Sequence, residues 1–362
     1  MGLIDVTACT NALKWFWSTL EYAWAEESPF AAIIPHKGDL KGIGKYLPIV
    51  VGGQRAGNSF SDVLALQNAP TVRRFLLQRR KLYSLGTIDE EAMYASQGDD
   101  AALVDVMKLA IESAQSGFGR RLAKQIWGNG GGALGRSNGA WVPASQTLTL
   151  LNADDMPAFD YDMEVELSVD DGTGGAGVLA GSATVSGMSI ESGNILTDAA
   201  SGTWAGQIPA AAVSNFVFAK GDYNLGIQGV LGHCPATAPV FGDNWLGVDR
   251  SVAVHILAGQ RYNCAGANIE DALFDSVGKG KRAGARYDLV CMSPTAYATL
   301  QKNAYSKGWF QIAVKNSSNA DIGFDTIGFS SAGMKIAVLA EPYMPSGYML
   351  LTRKDSWQLA HA

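Results

Sequence analysis

DDAALVDVMKLAIESAQSGFGRRLAKQIW, residues 99–127, is the stretch around which the rest of the chain arranges itself. Leu103, Met107, Ile111, Ala114, Phe118, Leu122 and Ile126 recur every three to four positions, the spacing that places side chains on one face of an α-helix. Asp99 or Asp100, just after Gly98, supplies the N-cap, an oxygen acceptor for the unpaired amides of the first turn. At 1.5 Å per residue the segment makes a rod of about 40 Å, long beside a mean helix of about 11 residues. Gly117 and Gly119 weaken its middle, where it can bend or let another chain approach. Such a helix is expected to be a structural backbone.

C-terminal to it the charge pattern changes. Residues 137–219 contain no Lys or Arg, yet they hold Asp154, Asp155, Asp160, Asp162, Glu164, Glu166, Asp170, Asp171, Glu191 and Asp198. With a whole-chain charge of −6, everything outside this acidic stretch nets +4. Within it, Met163, Val165, Leu167 and Val169 alternate with Asp162, Glu164, Glu166 and Ser168, the period of two that marks a strand with one wet, acidic face. TLTLL before it, and VLAGSATVSGMSI and SNFVFAKGDY after it, extend the expectation to an antiparallel sheet with a solvated acidic face.

N-terminal to the helix, glycines at 38, 42, 44, 52, 53 and 57 interrupt short apolar runs such as YLPIVVG, which suits an extended hairpin without a core of its own. Arg73, Arg74, Arg79, Arg80 and Lys81 then precede Asp89, Glu90 and Glu91. Opposite charges so close in sequence favour salt bridging, within or between chains, over a nucleic-acid patch. In residues 8–25, Leu13, Phe16, Trp17, Leu20 and Trp24 form an aromatic helical stripe. Lys14 is the only cation beside Glu21, Glu26 and Glu27, so this stripe is expected to dock on protein, its own domain or a neighbour, and not on a membrane.

Beyond Phe241, strand-like and helical runs alternate: SVAVHILAG, a helix on Ile269, Leu273 and Val277, the strand YDLVCMS, and a helix capped by Ser293 with Pro294 in its first turn. KIAVLAE and GYMLLTRKDSWQLA close the chain as further strands around a turn at Pro345, Ser346 and Gly347. This is an α+β or α/β unit of about a hundred residues.

The 362 residues suffice for a sizeable core. Apolar residues make up 47% and charged ones only 17%, below the usual quarter, leaving little charge to keep copies apart. The acidic balance argues against gripping nucleic acid through a broad basic face. Cys9, Cys234, Cys264 and Cys291 form no C-x-x-C pair and are accompanied by four histidines, so neither a disulfide framework nor a zinc cage is expected; synthesis in a reducing cytoplasm fits. MGLIDV lacks the basic start of a secretory signal, and no apolar stretch approaches the length of a membrane span, so a soluble chain is expected.

Several chemical motifs almost match. GGGALGRS at 130–137 has phosphate-loop spacing but places Arg136 where lysine belongs, with a helix before it and strands after it, the reverse of a phosphate cradle. A flexible helix exit is expected there. Gly172, Gly174 and Gly177 imitate a dinucleotide fingerprint behind Asp170 and Asp171, which repel a pyrophosphate, so a hairpin turn is expected. His233 and Cys234 are sequence neighbours, a poor geometry for a nucleophile and its base. The acids at 154–171 lack a calcium-loop pattern, and hydrolase signatures are absent. Catalytic residues, cofactors and metal ligands are therefore expected to be none.

KLYSLGTIDEEAMYAS before the long helix, IWGNGGGALGR after it, LGVDRSVAVHILAG, IEDALFDSVGKGKRAGARYDLVCMSPTAYATL and EPYMPSGYMLLTRKDSWQLA together resemble the major capsid proteins of tailed bacteriophages. The resemblance implies an α+β, Hong-Kong-97-type phage capsid fold. Its parts would be an N-terminal arm at 1–34, an E-loop hairpin at 35–90, a spine helix and exit loop at 91–136, a β-rich peripheral domain with an enlarged β region at 137–240, an α/β axial domain at 241–345 and a return strand of the peripheral domain at 346–362. It further implies hexamers and pentamers in an icosahedral shell, assembled in a host bacterial cytoplasm with scaffolding, portal and decoration proteins. That shell, the virion capsid, would enclose double-stranded DNA without sequence-specific binding, membrane or catalysis. Intersubunit contacts would fall on Leu13, Phe16, Trp17, Leu20, Trp24, Arg73, Arg74, Arg79, Arg80, Lys81, Asp89, Glu90 and Glu91. The alternatives are an encapsulin-like compartment for protein cargo and an enzyme holding a nucleotide phosphate at Arg136 and Ser137.

Overall fold

The long helix spans Asp100–Ile126 without a break at Gly117 or Gly119 in a computed structural model that describes residues 28–38, 42, 44–53, 57–65, 70–84, 100–198, 202–306 and 327–360. The arm positions Leu13, Phe16, Trp17, Leu20 and Trp24, the acids Asp89, Glu90 and Glu91, and Asp99 lie outside the described residues, as do the side chains of Leu103 and Met107. Helix and strand contribute almost equally, 28% and 27%, so the chain is mixed α and β.

Among the described side chains of the helix, burial increases toward its C-terminal end. Ile111, Ala114 and Phe118 are half-buried, whereas Leu122, Ala123, Ile126 and Trp127 are buried. These last residues join Phe30, Val230, Leu289, Cys291, Tyr343 and Met344 in one apolar cluster, with the Phe30 and Trp127 ring centroids 4.8 Å apart. Burying side chains of this size contributes about 1.5–3 kcal/mol each, so the cluster holds the helix end to the body. Ser28, Phe30, Ala31 and Ile34, expected within the arm, are buried in the body. Ser28 caps the short helix Pro29–Ile33, Phe30 is 1% exposed, and the Phe30 amide donates to the buried Glu341 carboxylate at 2.9 Å.

The acidic stretch folds as a six-stranded, wholly antiparallel sheet. Its strands lie in the order Gly135–Arg136, Phe216–Ala219, Glu164–Ser168, Ala183–Ser189, Asn194–Thr197 and Thr147–Thr149. Leu167 stands opposite Val217 and Val165 opposite Ala219, so the apolar half of the alternation shares one face. That face buries Val165, Leu167 and Val217 with Leu148, Val185, Ile195, Trp204 and Ile208. The Trp141 and Trp204 rings meet edge to face at 6.1 Å, and both indole N–H groups donate to backbone carbonyls.

The second sheet has the order Ile327–Ser331, Met334–Ala340, Leu289–Met292 and Met349–Thr352, with its middle pair parallel and both outer pairs antiparallel. Leu289–Met292 is apolar throughout because both its faces are buried. Leu289 and Cys291 enter the cluster at the end of the long helix, while Val290 and Met292 pack under Leu273, Val277 and Leu300 of helices Ile269–Arg282 and Pro294–Ser306.

Three further expectations are corrected by the structure. SVAVHILAG is not a strand: it forms a 3₁₀ turn, Arg250–Ala253, and a helical turn, Val254–Leu257, because the Asp249 carboxylate accepts from the Ser251 amide and hydroxyl and turns the chain. Met349–Thr352 does not return to the β-rich sheet but pairs with Leu289–Met292, and Leu359–Ala360 runs parallel to His36–Lys37. The hairpin, expected without a core of its own, packs Phe75 against Val248 and Leu257 of the body.

The helix exit is packed rather than flexible. A Cβ on Gly131 would overlap the Asp171 carbonyl, and one on Gly229 would overlap the Ile126 carbonyl. The Asn129 side chain ties this junction to the Asp171 carboxylate at 2.6 Å and accepts from the Gly131 amide at 3.0 Å.

Candidate functional site

The hairpin pairs Gly44–Gly52 with Thr71–Gln78, placing Leu47 opposite Phe75, Pro48 opposite Arg74 and Val50 opposite Val72. Strand alternation therefore gives it two different faces. Ile49, Val51 and Phe75 turn toward Trp245, Val248 and Leu257 of the body, and the Leu76 amide donates to the Leu246 carbonyl. On the opposite face Tyr46, Pro48, Val50 and Val72 stand in the open, with Tyr46 63% and Val50 57% exposed. At the far end, Phe60 (81% exposed) and Leu64 extend the apolar surface on the short helix Phe60–Ala65. An uncovered apolar strip on a two-stranded ribbon is costly to leave in water.

Arg73 and Arg74 lie on the Thr71–Gln78 strand, and Arg79, Arg80 and Lys81 follow it. Ser251 hydrogen bonds hold the Asp249 carboxyl below its ordinary value, and Arg73 adds to this. The acids expected to answer these cations, Asp89, Glu90 and Glu91, lie outside the described residues.

The acids at 154–171, expected as a solvated face, are partly corrected to internal partners of the long helix. Lys124 Nζ meets Asp155 at 2.5 Å, Arg120 meets Asp160 at 2.8 Å, and Arg121 pairs with Asp222. The helix presents these three cations within little more than one turn, and the β-rich region supplies the carboxylates, so charge segregated in sequence is neutralised in space. Lys124 and Asp155 are both largely shielded from water. Lys124→Ala leaves a shielded carboxylate unpaired and is expected to cost about 2–4 kcal/mol in a denaturant titration. Arg120→Ala breaks a much more exposed pair and is expected to cost under about 1 kcal/mol.

Asp170 builds the glycine loop that imitates a dinucleotide site. Burial alone would raise its carboxyl, but hydrogen bonds from the Ala176 amide, the Tyr223 hydroxyl, the Gly172 amide and the Ser168 hydroxyl hold it below its ordinary value. The loop's donors are thereby committed to an internal carboxylate. Arg136, the near-match to a phosphate lysine, donates through Nε to the Ser214 carbonyl at 2.9 Å and stacks over the Phe216 ring.

His233 sits between indoles, 4.5 Å from the Trp245 ring and 5.8 Å from Trp357, while Cys234 closes against Gly259. Burial, with Arg250 adding to it, pushes His233 down to about 4; burial pushes the Cys234 thiol up. A neutral imidazole and a protonated thiol make a structural pair. The unfolded histidine protonates near 6.5 while the folded one stays neutral to about 4, so stability present at neutral pH is lost as pH falls through that window. Between pH 7.5 and 5 the wild type is expected to lose about 2 kcal/mol more than His233→Phe, read from paired denaturation curves.

Among the described residues no group of three or more His, Cys, Asp or Glu side chains is placed to hold a metal ion, and no helix is long and apolar enough to cross a membrane. Sequence reasoning passed over Glu341 and the exposed tip residues Phe60 and Leu64. Glu341 has no local pattern to mark it, whereas F-S-D-V-L-A inside a glycine-broken hairpin was a visible helical signal. Set beside known protein families, curated proteins and solved structures, the chain matches none of them.

Proposed function

We propose that the chain is a shell-forming tile: the major capsid protein of a tailed bacteriophage, with a Hong-Kong-97-type fold, closing with copies of itself around double-stranded DNA. The observation that carries this reading is the hairpin, whose outer face and tip leave Tyr46, Val50, Val72, Phe60 and Leu64 uncovered beside a well-buried body. Neighbouring copies supply the missing cover. Head-to-tail contacts that close give rings of five and six, each contact burying about 1,600 Å². The order of parts supports the same reading: hairpin, long helix, antiparallel sheet unit, then a sheet flanked by helices. Function in such a tile is association and requires no catalytic group.

Negative-stain microscopy of the expressed chain tests this, with hollow spheres or six-membered rings expected. Particles filled with protein and free of DNA would select the encapsulin-like alternative, and the absence of any assembly would overturn the shell. Deleting residues 1–27 is expected to leave a folded subunit that assembles poorly, read by microscopy and circular dichroism. The cut stops short of Ser28, whose hydroxyl caps Pro29–Ile33 in the core.

A further inference from the structure

The cations near the long helix are matched by carboxylates, but most of those around one open pocket are not. The pocket, of about 410 Å³, lies where the chain leaves helix Ile269–Arg282 and passes the end of strand Met349–Thr352; Gly284, Arg286, Tyr287, Arg353 and Ser356 line it. Residues 279–286, KGKRAGAR, hold four cations and no acid in a chain of net charge −6. Lys279 is engaged, its ammonium 4.0 Å from the Tyr262 ring centroid. Lys281, Arg282, Arg286 and the Lys354 ammonium are exposed and make no ion pair among the described residues.

Asp288 accepts from the Lys354 backbone amide at 2.9 Å, and Asp355 holds Arg353 at 2.9 Å in a pair too exposed to compete strongly with a ligand. The surface keeps an excess of positive charge, with two guanidinium forks and the Ser356 hydroxyl at the pocket. Forked guanidinium donors match the oxygens of a phosphate better than a point charge does.

We propose that this pocket and its flanking cations bind the phosphate backbone of a nucleic-acid duplex. The pocket is open, so it does not enclose a small anion, and the cations continue beyond it through Lys281, Arg282 and Lys354, as a repeating polyanion requires. A second copy's acidic region is a poorer occupant because its carboxylates at Asp155, Asp160, Glu164 and Asp170 are already partnered within that chain. Phosphate recognition follows from the pocket itself, while the choice of a duplex rests on the shell reading. A few contacts confined to one patch keep the binding weak and salt-dependent, as suits a wall that the enclosed molecule must later leave.

The test is fluorescence anisotropy of a labelled DNA duplex with the full chain across a salt series. Arg286→Ala/Arg353→Ala is expected to weaken binding about tenfold at about 50 mM salt and to reduce the slope of log affinity against log salt by about 2. Lys302→Ala/Lys335→Ala removes the same charge elsewhere and is expected to stay within about twofold of wild type. Equal losses in the two double variants, unchanged affinity in the arginine pair, or a wild type that does not bind would each overturn the proposal. So would a poly-glutamate chain that competes as well as unlabelled duplex at equal charge. Microscopy of the same samples separates the two readings: shells without duplex binding sink this site alone, and binding without shells sinks the tile alone.

Discussion

Gly131→Ala is expected to cost about 4 kcal/mol or more and to yield chain that is largely insoluble on expression. Its Cβ would overlap the Asp171 carbonyl and crowd Gly172, and both obstacles are backbone, which cannot rotate aside as a side chain can. The position is also where the Asn224 amide donates to the Gly131 carbonyl at 2.8 Å, so a shift to relieve the overlap breaks a hydrogen bond between two segments. Gly117→Ala is the matched control. A Cβ there meets nothing within 4 Å, and an exchange to alanine in a helix interior is expected to stabilise by about 0.5–1 kcal/mol. Denaturant titrations of the two variants beside wild type decide the matter; similar behaviour of the two would refute the packed junction.

The second large effect concerns association rather than folding. Tyr46→Asp/Val50→Asp places two carboxylates on the hairpin face turned away from Phe75 and Val248, where both native side chains are more than half exposed. The subunit is expected to keep its circular dichroism spectrum and its denaturation midpoint, because neither position supports the internal core. Assembly is expected to be abolished, since two carboxylates beside the single cation Arg74 are then buried against an apolar partner at every repeat of the contact. Phe75→Asp at the buried face has the opposite profile, loss of folding itself. A double carboxylate variant that still forms normal shells would show that this face is not an interface.

The sequence announced the elements whose periodicity is local. The three-to-four repeat of residues 99–127, the alternation at 162–169 and the Ser293-Pro294 start each became the expected helix or strand. SVAVHILAG misled because its alternating apolar residues imitate a strand, while the decisive signal was the polar Asp249-x-Ser251 turn at its start. The glycines at 130–132 read as slack because their requirement comes from Asp171, Asp222 and Gly226, distant in sequence. Charge segregation was legible, but its neutralisation by Arg120, Arg121 and Lys124 depends on which side of the helix faces the sheet. Of the candidate contact residues, Arg73, Arg74, Arg79, Arg80 and Lys81 are placed on or just after the hairpin, whereas the apolar face beside them carries the stronger signal for association.

Sedimentation velocity of the purified full chain over a rising concentration series tests the central claim most directly. The tile predicts that the 38.3 kDa species gives way to rings of five or six copies, about 190–230 kDa, and then to much larger closed particles. A single 38.3 kDa boundary that persists at the highest concentration, with scaffolding protein supplied, would contradict it.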